Sequence, residues 1–108
     1  MDLLTKRCTT CTPGMPKLDP AEIAALAPHV PAWRVAGEKL ARQFVFHDFV
    51  HAIHFVNRMA SLAEAEAHHP DFAVHYREVD VTIWTHAAGG LTENDFILAA
   101  KIDALAVP

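Results

Sequence analysis

At 108 residues, with 52% hydrophobic and 20% charged side chains, the chain fits one globular domain with a modest core, which excludes a disordered tail or a fibrous repeat. The formal net charge of -4 and the absence of any Lys/Arg run exclude a general nucleic-acid binder, which would carry a basic patch. No apolar stretch near Met1 has the length of a signal peptide and none further on reaches a membrane span, so a cytoplasmic protein with no membrane partner is expected.

In chain order, residues 1–17 are expected to form a flexible arm, rich in Thr, Pro and Gly, ahead of a single domain spanning 18–108. The arm holds both cysteines, Cys8 and Cys11, as one C-x-x-C. A structural zinc site needs four ligands, and a thioredoxin-type motif needs a strand before it and a helix after it. Neither context is present, which leaves two reduced thiols or, alternatively, a half-site completed by a second chain. Asp19-Pro20-Ala21-Glu22 then spells a helix start: Asp19 as N-cap, Pro20 at the first helical position and Glu22 at the third, with the helix ending by Pro28. Trp33-Arg34-Val35, a turn at Ala36-Gly37-Glu38, and the run from Leu40 to Phe46 predict a β-hairpin with Leu40, Phe44 and Phe46 on one face. Arg42 shares that face, and so belongs near an edge or reaches across to a partner.

Asp48 can cap a long helix running to about Ala67, the central core helix of this reading. Phe49, Ile53, Val56, Ala60 and Ala63 make its apolar stripe, widened by Ala52, Phe55, Met59 and Leu62. Its polar flank carries His51, His54, Arg58 and Ser61, with His47 just before it. Histidines three apart can bind metal, but no carboxylate or Cys joins them at i+4 and Arg58 repels a cation, so this flank reads as a solvated face. The helix runs into Glu64-Ala65-Glu66-Ala67-His68-His69-Pro70. Pro70 drives the residue before it toward an extended conformation, so the helix should stop near His68. Adjacent histidines leaving a helix end point in different directions and can reach one small cleft from two sides. A helix end followed by proline also accounts for each of these residues without any function.

Val74-His75-Tyr76 is a short strand candidate. Val79, Val81 and Ile83 alternate with Glu78, Asp80, Thr82, Trp84 and His86, which predicts a half-buried strand with Trp84 and His86 opposite the aliphatic face. Gly89-Gly90 breaks it. Thr92-Glu93-Asn94-Asp95 is a capping box ahead of a final apolar helix, in which Asp95 can accept from the backbone N–H of Thr92. The order α-β-β-α-β-β-α predicts an α+β two-layer domain: a four-stranded antiparallel sheet with three helices packed on one face.

Three segments together resemble one family. They are Phe44-Val45-Phe46-His47-Asp48-Phe49, Glu64 through Asp71 with His68-His69-Pro70, and Thr85-His86-Ala87-Ala88-Gly89-Gly90-Leu91-Thr92-Glu93-Asn94-Asp95. They look like the pterin-4a-carbinolamine dehydratases, also known as dimerisation cofactors of a homeodomain transcription factor, over about residues 18–104. The arm's C-x-x-C is also similar to bacterial members. The resemblance implies the α-β-β-α-β-β-α fold as a homodimer or homotetramer. It implies an enzyme, a hydro-lyase that dehydrates 4a-hydroxytetrahydropterin to quinonoid dihydropterin, using no metal and no organic cofactor. Such a reaction recycles the tetrahydrobiopterin-type cofactor of aromatic amino-acid hydroxylases, which makes a hydroxylase the expected functional partner.

Carried over by position, the resemblance implies His68, His69 and His86 as catalytic residues, and Glu64, Pro70, Phe72, Trp84 and Asp95 as the pterin-binding set. Phe72 stands where many relatives have Trp, and Ala87 where an acidic residue is common. The competing reading is a non-catalytic adaptor on the same fold, a transcriptional coactivator or an assembly factor, which would not need the histidine set.

Overall fold

A computed structural model describes residues 2–106; Met1 of the expected arm and residues 107–108 of the expected domain lie outside the described residues. Three helices, α1 (Pro20–Leu26), α2 (Phe49–Glu66) and α3 (Glu93–Leu105), alternate with strands β1 (Arg34–Ala36), β2 (Lys39–Val45), β3 (Asp71–His75) and β4 (Glu78–Ile83). The strands form one antiparallel sheet in the order β1-β2-β4-β3, with the helices on one face, as the sequence predicts. No helix among the described residues is long and apolar enough to cross a membrane.

Alternation positions the sheet. Leu40 and Phe44 of β2 and Val79, Val81 and Ile83 of β4 are all buried toward the helices, while their neighbours in sequence face outward. The phenyl rings of Phe44 and Phe46 pack on that of Phe55 from α2, with centroids 4.7 and 4.9 Å away, and Trp33 meets Phe44 edge-on at 5.9 Å. Burying side chains of this size stabilises by about 2 kcal/mol each, which is what welds α2 to the central strands. Arg42 finds its partner within the chain: Nη1 lies 2.6 Å from Asp103 Oδ1 on α3, an oxygen that also accepts from Trp33 Nε1 at 2.7 Å.

The capping chemistry at Asp19 is as expected: it accepts from the N–H of Glu22, and Glu22 reaches back to the N–H of Asp19. The helix passes into a single 3-10 turn, Ala27–His29, where Pro28 has no N–H to continue it.

Several expectations are corrected by packing. The buried stripe of α2 is Ala52, Phe55, Met59, Ala63 and Glu66, whereas Phe49 and Ala60 are exposed. The helix is turned relative to the expected stripe so that Glu66 at its end faces inward with Ala52, Phe55, Met59 and Ala63. The central core helix is α3 rather than α2, with Asn94 through Ala99 buried without a break. It is enclosed by the sheet, by α2 and, on its outer side, by the arm.

Strand β3 begins at Asp71, earlier than expected, because it pairs with β4 from Asp71↔Thr82 to His75↔Glu78. Tyr76 is therefore not in the strand. It stands in the two-residue link to β4 with φ 57°, a left-handed position that such a tight hairpin demands and that Gly37, at φ 64°, fills in the link between β1 and β2.

The arm has little regular structure beyond one 3-10 turn at Leu3–Thr5, but it is laid against the domain rather than standing off it. Leu3 is buried, Lys6 pairs with Glu93 at 2.6 Å, and the backbone of Cys8 and Thr9 bonds to Glu66 and Asn94. Composition marks this segment as an arm; what it cannot show is that two buried polar side chains on α2 and α3 wait for its backbone.

Candidate active site

The end of α2 sets the geometry. Ala67 takes a left-handed conformation, φ 52°, and the N–H of His68 closes onto Ala63 O at 3.1 Å, a Schellman-type termination just ahead of Pro70. This reversal throws the two histidines apart. His68 turns inward and is 6% exposed, while the His69 side chain turns outward and is 59% exposed.

Behind His68 stands Asp95, in the first turn of α3 and fully buried. His68 Nε2 is 2.6 Å from Asp95 Oδ1, and Asp95 Oδ2 accepts from Thr85 Oγ1 at 2.9 Å and from the N–H of Thr92 at 2.8 Å. With two donors on Oδ2, the free Oδ1 faces the His68 ring nitrogen, the arrangement of a carboxylate accepting from a ring N–H. The Thr85 hydroxyl hydrogen is spent on Asp95, so the Thr92 hydroxyl, 2.8 Å away, donates to Thr85. No buried side-chain nitrogen or oxygen among the described residues lacks a partner, so this polar cluster is closed rather than strained.

The third histidine comes from the far side. Strand β4 ends at Ile83, Thr85 bridges to Gly90, and His86 opens a 3-10 turn, His86–Ala88, instead of extending the strand as expected. Gly89 terminates that turn at φ 69°. The His86 ring lies against Trp84, centroids 3.9 Å apart, and Lys39 Nζ is 4.9 Å from the Trp84 ring centre. Trp84 Nε1 faces Asp71 Oδ2 at 3.4 Å.

His68, His69, Pro70, Trp84 and His86 thus line one hollow of about 350 Å³, open to solvent. The remaining expected residues stand apart from it. Asp95 lies behind His68 and does not reach the cavity. Glu64 and Phe72 line a second, apolar hollow on the other side of His69 and Pro70, with Met59 and Ala63 at its base. Glu64 Oε2 is 2.5 Å from His69 Nε2, so its link to the first hollow runs through that imidazole.

Two members of the constellation were not expected. Thr85 occupies the buried phase of Val79, Val81 and Ile83, and a polar residue continuing an apolar alternation was the available signal. Cys11 lines the hollow from the arm, its Sγ 3.8 Å from His68 Nδ1; its C-x-x-C was legible but not its destination. The other cysteine is different in kind. Burial, with the Glu66 carboxylate beside it, pushes the Cys8 thiol up to about 12, so it stays protonated near neutrality. Burial also works against the charge of Glu66, but the Cys8 N–H, the Lys101 ammonium and Arg7 outweigh it and hold the carboxyl below the usual range.

A small α+β domain that aims three imidazoles at one cleft, one of them braced by a buried carboxylate, has the equipment for general acid–base chemistry on a small molecule. Residues 16–105 match the sequence pattern of the family described as pterin 4 alpha carbinolamine dehydratase, and the chain belongs to that family. It is 47% identical, over 98% of its own length and 95% of the relative's, to a Gloeobacter violaceus protein whose name assigns it provisionally as pterin-4-alpha-carbinolamine dehydratase 1. A Rubrobacter xylanophilus protein, named in the same provisional way, is 43% identical over 96% of this chain and 98% of its own.

Among solved structures, a transcriptional coactivator/pterin dehydratase from Brucella melitensis superposes with TM-score 0.80 at 36% identity, covering 84% of this chain and 99% of that one. A pterin dehydratase-like protein described as a RuBisCO assembly factor in the alpha-carboxysome is similar at TM-score 0.61 and 29% identity, covering 69% and 89% respectively.

Proposed function

We propose that this chain dehydrates 4a-hydroxytetrahydropterin to quinonoid dihydropterin. The observation that carries the reading is the convergence of His68, His69 and His86 from two separate segments on one hollow, with Asp95 buried behind. Hydroxide leaves a carbinolamine badly. In the proposed step a protonated imidazole gives its proton to the 4a-hydroxyl, the C–O bond breaks and water departs, while a neutral imidazole takes the proton of the ring N–H whose electrons form the new C=N bond. His69 and His86, both exposed, are the acid and base of this scheme, since each can exchange its proton with solvent before the next turnover. His68 forms the buried wall of the cleft, its ring oriented by Asp95, and the Trp84 ring against His86 offers a flat apolar shelf for the pterin.

Chemically generated 4a-hydroxytetrahydropterin, followed by absorbance with and without micromolar protein, tests the reading; an unchanged decay rate contradicts it. Substrate recycling would then pair the protein functionally with an aromatic amino-acid hydroxylase. Self-association is part of the same proposal, supported by the open edges β1 and β3 and by exposed Val45, Phe49, Val50, Phe72 and Tyr76. The competing reading, a non-catalytic adaptor, draws on the assembly-factor role named for one structural relative. An adaptor has no use for a closed Thr92–Thr85–Asp95–His68 cluster beneath an open cleft, and that favours catalysis here.

A further inference from the structure

The family pattern begins at residue 16, so Cys11 reaches the cleft from a segment outside that match. Its placement is fixed from both sides. Upstream, Glu66 holds the N–H of Cys8 at 2.8 Å and Arg7 Nε at 3.1 Å, and Asn94 pairs with Thr9 twice, accepting its N–H and donating to its carbonyl at 2.9 Å each. Downstream, the N–H of Gly14 bonds to Ala87 O at 3.1 Å and that of Leu18 to Leu91 O at 2.7 Å. The short span between Thr9 and Gly14 is thereby held beside the cleft, with Cys11 lining it against His68.

Hydrogen positions follow from the partners. Asp95 accepts from His68 Nε2, so in the neutral ring Nδ1 presents a lone pair. Asn94 Nδ2 donates to Cys11 Sγ at 3.6 Å, which leaves the thiol hydrogen to point at His68 Nδ1, 3.8 Å away. The result is a directed chain, Asn94 to Cys11 to His68 to Asp95, that occupies both ring nitrogens of the buried histidine.

We propose that Cys11 is a positioning residue of the active site, holding His68 from its Nδ1 side while Asp95 holds it from Nε2, so that arm and domain build the site together. The kinetic consequence rests on the dehydratase reading; the contact itself does not. A thiol is a weak donor and the contact is long, so the expected effect is modest. Cys11→Ala lowers kcat about five-fold, with KM within about two-fold, because the contact orients the His68 ring that backs the cleft and does not grip substrate. Cys11→Ser, which restores a donor of similar size, recovers most of that loss.

The test uses the full chain as wild type, Cys11→Ala and Cys11→Ser, with the ring ¹⁵N resonances of His68 recorded beside the dehydration rate. A moved Nδ1 resonance in Cys11→Ala that returns in Cys11→Ser, together with the matching loss and recovery of kcat, supports the proposal. An Nδ1 resonance unmoved in Cys11→Ala, or a serine variant no better than alanine in either readout, overturns it. Should Cys11→Ala fail to fold, Cys11→Val, which fills the place of the thiol without a donor, takes its part with the same two outcomes. If wild type shows no turnover, the dehydratase reading falls and the His68 resonance alone judges the Cys11 contact.

Discussion

His47, His51 and His54 lie along the exposed flank around the start of α2, whereas His68, His69 and His86 gather at its far end, and what distinguishes the two groups is what stands behind them. His51 Nδ1 meets Asp48, its own helix cap, at 2.6 Å, a local pair in which the His51 N–H and ring hold the Asp48 carboxyl below its ordinary range. The hollow beside these rings, about 460 Å³, is larger than the one at the other end, but among the described residues no buried carboxylate braces any of its imidazoles. At the far end the supports come from distant parts of the chain: Asp95 from α3, Thr85 from beyond β4, Cys11 from the arm. Imidazoles are plentiful in this molecule. What sets the proposed site apart is that the fold buries one imidazole against a carboxylate and leaves its neighbours open to solvent.

The comparison breaks most sharply at the exposed members of the far cluster. His86→Ala or His69→Ala should lower the dehydration rate about 10²- to 10⁴-fold, the usual worth of a general acid or base, with the unfolding midpoint little changed. Next comes the buried support. Asp95→Ala leaves the donors of His68, Thr85 and the Thr92 backbone unanswered inside the protein and should cost about 3 kcal/mol in urea unfolding, with Asp95→Asn milder because the amide oxygen still accepts.

Smaller again is the arm's fastening. Glu66 has its carboxyl lowered in the folded chain, so its contribution is fully present above the ordinary glutamate range, near pH 4.3, and is lost as pH falls through its own lower value. Glu66→Gln should therefore lower Tm at neutral pH, and the gap from wild type should close on acidification; a gap that widens in acid would contradict the assigned clamp. The smallest effect belongs to the other histidine cluster. His51→Ala and His54→Ala should leave the dehydration rate unchanged, and a loss comparable to that of His86→Ala would erase the distinction between the two ends of α2.

Much of this was readable in the sequence because it is local. The capping residues Asp19, Asp48 and Thr92, the alternation of Val79, Val81 and Ile83, and the stop at Pro70 each express a rule spanning a few residues, and the elements formed there, with β4 ending at Ile83 short of the expected His86. His68, His69 and His86, singled out through motifs, are brought by the structure to one hollow. The rest depended on contacts between segments far apart in the chain. Phe49 has the spacing of a core residue but faces out on an α2 turned so that Glu66 faces inward, and no local pattern connects Glu66 to its partners Arg7, Cys8 and Lys101. Asp95 could be read as a cap and proves to be both cap and support, since one carboxylate has two oxygens and the fold uses them differently. Cys11 carries no local sign of its neighbour at position 68.

The central claim is that the far cluster is an acid–base site for a pterin carbinolamine. Its most direct test is the decay of chemically generated 4a-hydroxytetrahydropterin, measured with wild type and with the His69→Ala/His86→Ala double variant at equal micromolar concentration. Fast decay with wild type that falls to the uncatalysed rate in the folded double variant is the predicted result. Equal rates in the two, whether both fast or both uncatalysed, would contradict it.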